Sequence, residues 1–131
     1  MKINIKNIRK LAPFYSDFVI NFLRTAARLH GFIAMREQLL VYEAKHNYPS
    51  YTHVEMDMEE LKEKIVSNAK YCRKLVIGLN RRAFQKGIGA ICTGFEEATL
   101  AEFVKTLNEY IDELISQSDY ESFINELAKK A

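Results

Sequence analysis

MEELKEKIVSNAKYCRKLVIGLNRRAFQK, residues 58–86, is the stretch on which the fold turns. Met58, Leu61, Ile65, Asn68, Cys72, Leu75 and Leu79 step along it at intervals of three and four, the spacing of a heptad seam on one helix face. Asp57 stands where an N-cap belongs and Glu60 follows three residues later, the pattern of a capping box, with acids in the first turn as the helix dipole prefers. Gly87 and Gly89 supply the stop. A helix over 58–86 is therefore expected. Asn68 is the polar member of its seam. A lone Asn there costs stability and selects register or partner, so it is read as a specificity residue.

The same helix has a second character. Lys70, Arg73, Lys74, Arg81, Arg82 and Lys86 fall within it with no acid between them. At 100° per residue Lys70, Lys74 and Arg81 lie within about 40° of each other, with Arg73 beside them and Arg82 and Lys86 extending the patch toward the helix end. Cys72, Leu75, Val76, Leu79 and Ala83 take the opposite side. This basic face is the candidate binding surface. It suits the phosphates of a nucleic acid, or the acidic residues of the chain's own downstream segment.

Upstream, Pro13 suits a first helical turn. Phe18, Val19, Phe22, Ala26, Leu29 and Ile33 then recur at helical spacing, opposite Asp17, Asn21, Arg24 and Arg28. One helix from Pro13 to Ala44 is expected, with Gly31 as a place to bend. Residues 1–8 alternate Ile3, Ile5 and Ile8 with polar residues, the pattern of a short edge strand or a frayed lead-in. HNYPSYTHVEMD, residues 46–57, breaks the helical pattern, and Pro49 biases Tyr48 away from helix. The alternation over 53–58 suggests an extended segment able to pair with Ile3–Ile5.

Downstream, Leu100, Val104, Leu107, Ile111 and Leu114 form another ladder, and Glu96, Glu97, Glu102, Glu109, Asp112 and Glu113 line its polar face. Ser116–Ser118 suggest a break, and Asp119 would cap a last short helix with Phe123, Ile124 and Leu127 on its apolar side. The expected fold is all-α: an antiparallel bundle of three long helices plus a short C-terminal one, with a minor N-terminal extended segment. Residues 1–131 are read as a single domain.

Composition narrows the class. Hydrophobic residues at 48% and charged ones at 27% are those of a folded protein, and 131 residues bury enough surface to fold without disulfides or a metal. Five Gly and two Pro leave little material for the turns of an all-β fold. Cys72 and Cys92 sit among apolar neighbours, which argues against a disulfide framework. The charged N-terminus has no apolar run behind it and no window is long and apolar enough to span a bilayer, so a cytoplasmic location with no membrane is expected.

Chemistry leaves few candidates. His46, His53, Glu55 and Asp57 offer nitrogen and oxygen ligands, and the last three alternate, but no second cluster completes a site; no metal and no cofactor are expected. Arg24 and His30 have a spacing that resembles the Arg/His pair of helical ribonuclease domains, yet they lie about 120° apart on a helix. No Walker loop, G-x-S-x-G or G-x-G-x-x-G occurs. Phe14, Tyr15, Phe18, Phe22 and Phe32 crowd one helix; those that do not fit the core would form an exposed partner patch. The expected function is non-enzymatic: a helical interaction protein (adaptor, regulator, immunity-type inhibitor or small assembly subunit) that docks a helix face on a protein partner. The alternative is a nucleic-acid-binding subunit using the basic face of 58–86. Two seams on helices of opposite charge also allow self-association.

Overall fold

The structure, a computed structural model, describes residues 1–46 and 58–115. These form, in order, β1 (Lys2–Ile3), α1 (Ile5–Leu11), α2 (Ser16–His46), α3 (Met58–Gln85), β2 (Cys92–Thr93), α4 (Leu100–Glu109) and α5 (Ile111–Ile115). The described chain is thus mostly helical, with one small two-stranded sheet.

The N-terminus departs from the expected strand. The strand is confined to Lys2 and Ile3. Ile8, Leu11 and Ala12 are buried at helical spacing, and Asn4 caps α1 by accepting a bond from the Asn7 N–H at 3.0 Å. A three-residue apolar interval outweighs the two-residue alternation once a cap is present. Pro13 follows the C-cap of α1 rather than opening the next helix, and α2 starts at Ser16. Gly31 lies inside a continuous α2 of 31 residues.

α2 and α3 run antiparallel. Phe18 lies beside Arg82, Asn21 beside Tyr71, and Ile33 and Arg36 share a groove with Lys62 and Ile65. The buried line on α3 is Leu61, Ala69, Cys72, Val76, Leu79 and Ala83; it keeps Leu61, Cys72 and Leu79 of the expected seam and takes Ala69 and Val76 in place of Asn68 and Leu75. Asn68 and Leu75 are only half-buried. From Ala69 to Ala83 the buried residues still step at intervals of three and four.

α3 ends in a Schellman turn. Gly87 N–H donates to Phe84 O at 3.0 Å and Ile88 N–H to Ala83 O at 2.9 Å, with Gly87 at φ 68°. The chain then returns along α3, held by side chains. Asn80 Oδ1 accepts from Ile91 N–H at 2.8 Å and Cys92 N–H at 3.1 Å, and its Nδ2 donates to Cys92 O at 2.8 Å. Asn7 Nδ2 donates to Ala90 O at 2.9 Å and Asn4 N–H to Ile91 O at 2.7 Å.

This places Cys92–Thr93 beside the N-terminus, so β1 pairs antiparallel with β2, Lys2 opposite Thr93 and Ile3 opposite Cys92. Residues 53–57, expected to pair with Ile3–Ile5, lie outside the described residues, as does the last short helix expected after Asp119. At Gly94, φ 75° and a Met1 backbone 3.3 Å from where a Cβ would stand leave room for glycine alone.

The third long helix is interrupted. α4 opens with a capping box between Thr99 and Glu102 and ends at its C-cap, Tyr110, at φ −91° and ψ −2°. The chain resumes as the five-residue α5, and Leu114 is buried where α5 packs on α2. The break re-aims the chain so that both pieces reach the core. Phe103, rather than Leu100 or Val104, is the fully buried anchor of α4, packed in one cluster with Phe22, Leu29, Val76, Ile91, Phe95 and Leu107.

Asn80→Ala would leave two N–H groups and a carbonyl of the 91–92 segment without their partner. It is expected to lower unfolding free energy by about 2–4 kcal/mol, read from urea denaturation. A loss below about 0.5 kcal/mol would show that the amide does not hold the segment.

Candidate functional site

The six cations of the expected basic face separate into three groups. Arg73 is half-buried and faces the 95–98 segment, where one guanidinium nitrogen donates to Phe95 O at 3.2 Å, Ala98 O at 3.2 Å and Glu96 O at 3.4 Å. Seven residues separate Arg73 from Asn80, so the two share a flank of the helix to within about 20°.

Arg82 and Lys86 turn to the opposite flank. The Arg82 guanidinium carbon lies 3.6 Å from the centroid of the Phe18 ring and 5.5 Å from that of Tyr15, and its Nη1 donates to Gly78 O at 3.1 Å. Lys86 Nζ stands 4.7 Å from the Phe14 centroid. These are cation–π contacts, worth about 0.5–1 kcal/mol where exposed. They cover part of an aromatic patch in which Phe14 remains 58% and Phe18 41% exposed. Phe22 is buried in the core, while Tyr15 and Phe32 are half-buried.

Lys70, Lys74 and Arg81 remain on the outer face, exposed, and among the described residues no ion pair joins them to the carboxylates of α4. The sequence reading missed what stands between them. Ile77 is 46% and Phe84 81% exposed, and both lie seven residues along from Lys70 in succession. Lys70, Ile77 and Phe84 thus form one stripe, with Lys74 and Arg81 on its shoulder. The signal was the same seven-residue interval that picked out the cations.

The remaining candidates fall elsewhere. Asn68 Nδ2 donates to Lys64 O at 2.7 Å within its own helix. His30 faces α4 and its Nδ1–H donates to Asn108 Oδ1 at 2.6 Å, whereas Arg24 is exposed; the structure gives them no common site. His53, Glu55 and Asp57 lie outside the described residues, and the described residues contain no group of three metal-ligating side chains. No helix among them is long and apolar enough to cross a membrane.

Cys72 and Cys92 are free thiols in the core. Burial pushes Cys72 up to about 12 from 9.0. Burial also pushes Cys92 up to about 11, assisted by Glu96 and opposed by the N-terminal ammonium. Neither is an activated nucleophile. Comparison of the chain with family models, curated proteins and solved structures finds no match.

Two predictions follow from this geometry. Arg73→Ala is expected to destabilise by about 2 kcal/mol, since it strips three carbonyls of their donor, while Lys74→Ala changes stability by less than about 0.5 kcal/mol; thermal melts distinguish them. For the thiols, the folded protein holds its protons to higher pH than the unfolded chain. Their contribution to stability is full below pH 9 and falls as pH rises from about 9 toward about 12. The Cys72→Ala/Cys92→Ala variant should show a shallower decline than wild type over that window in urea titrations.

Proposed function

We propose that the chain is a non-enzymatic interaction protein, a single-domain antiparallel helical bundle in which α4 and α5 replace a third long helix. It docks through the outer face of α3 on a protein partner. The observation that carries this reading is the stripe of Lys70, Ile77 and Phe84 flanked by Lys74 and Arg81. An aromatic ring 81% open to water packs little against the described residues, and apolar anchors ringed by charge are the usual anatomy of a docking site. The cations steer an acidic partner surface toward the stripe, and Phe84 and Ile77 supply the desolvated contact.

A second reading has its own support. The same face carries no acid between residues 70 and 86, and an exposed ring beside cations is a stacking platform for an unpaired base. Self-association through the stripe is a third arrangement, tested by sedimentation: a strict monomer at high concentration removes it.

Capture from native lysate, with and without nuclease, separates the first two readings. Ile77→Ser/Phe84→Ser should weaken capture of a protein partner by roughly 30-fold, equivalent to about 2 kcal/mol, with an unchanged melting temperature. Nuclease should leave that capture intact. Loss of capture on nuclease treatment, together with salt-dependent binding of the purified protein to RNA or DNA, would replace the protein partner with a nucleic acid.

A further inference from the structure

Where α2, α3 and α4 meet, a groove of about 530 Å³ opens on a surface separate from the outer stripe. Its walls are apolar: Ile33 from α2, Ile65, Val66 and Ala69 from α3, Leu100 and Val104 from α4. Its remaining charged lining residues are all cations, Arg36, Lys62 and Lys105, and no acid lines it among the described residues. The three cations come from three different helices, are exposed, and have no ion-pair partner among the described residues.

This is unusual for α4, whose polar side is otherwise acidic. Lys105 is the one base between Glu102 and Glu109, and it is the residue that lines the groove. The position of each charge relative to the apolar walls therefore has a common sense: positive charge surrounds the cleft on every side that supplies one.

We propose that this groove is a binding site for an amphipathic helix of a partner protein, one whose apolar stripe is flanked by carboxylates. Apolar anchors at i, i+3/i+4 and i+7 would fill a cleft walled by helix ridges, and charges set on three helices match several carboxylates spaced along a segment better than one compact headgroup. The proposal rests on the reading of the chain as an interaction protein but assigns a surface distinct from the outer face of α3.

The test uses the full chain and a labelled synthetic amphipathic helix of about 15 residues, with Leu on one face and Glu flanking it, followed by fluorescence anisotropy. A matched peptide with Lys in place of Glu is the control, and oleate is the competing small amphiphile. The acidic peptide is expected to bind, with at least about tenfold loss for Lys62→Glu/Lys105→Glu and for Val66→Glu on the groove wall. Ile77→Ser/Phe84→Ser should leave this binding unchanged, which separates failure of the groove from failure of the outer stripe. All these positions are exposed or part-exposed, and circular dichroism verifies folding of each variant.

Equal binding of the acidic and basic peptides would overturn the proposal, as would indifference to the groove substitutions. Groove-dependent binding of oleate without any binding of the acidic peptide would also overturn it, in favour of a small amphiphilic anion. Dimerisation abolished by Val66→Glu, again without peptide binding, would reassign the groove to a second copy of the chain.

Discussion

The side-chain amide of Asn80 is the contact on which the second half of the described structure depends. A chain leaving the end of α3 must turn back along that helix, and its backbone groups lose water as it does so. Asn80 replaces that water with one acceptor shared by two N–H groups and one donor given to a carbonyl. Such groups left unpaired when buried would each cost about 1–3 kcal/mol. With residues 91–92 held, Ile91 and Cys92 enter the core, the N-terminal residues gain a strand to pair with, and Arg73 takes hold of the carbonyls just before α4.

α3 consequently does four jobs around its circumference. One side is the apolar line from Leu61 to Ala83. One flank, Arg73 and Asn80, ties down the connection to α4. The other, Arg82 and Lys86, lies over the aromatic rings at the start of α2. Only the fourth side is left to water, and it holds the proposed docking stripe. Three of the six cations, Arg73, Arg82 and Lys86, are spent on carbonyls and rings of the protein itself, so a count of charges overstates the surface available to a polyanion.

The site was partly legible. The interval of seven that gathers Lys70, Lys74 and Arg81 is visible in the chain, and it equally contains Ile77 and Phe84. Apolar residues invite assignment to the core, so the two were not read as surface. Which apolar residues are left outside depends on how much of the circumference neighbouring helices cover, and no local pattern states that. The groove was not legible at all, because its walls come from three segments far apart in the chain.

Helix existence along α2 and α3, the glycine stop after Lys86 and the helical character of the whole are local matters. Periodicity, cap chemistry and backbone sterics dictate them, and the residues concerned lie within a few turns of one another. Which line of α3 is buried, where the N-terminal strand pairs, why the third helix breaks at Tyr110, and which cations remain free were decided by tertiary packing. Each is a competition between contacts that local chemistry allows almost equally. The arrangement adopted pairs the backbone of residues 91–92 with Asn80 and gathers Phe103, Ile91 and Leu114 into one core with α2 and α3.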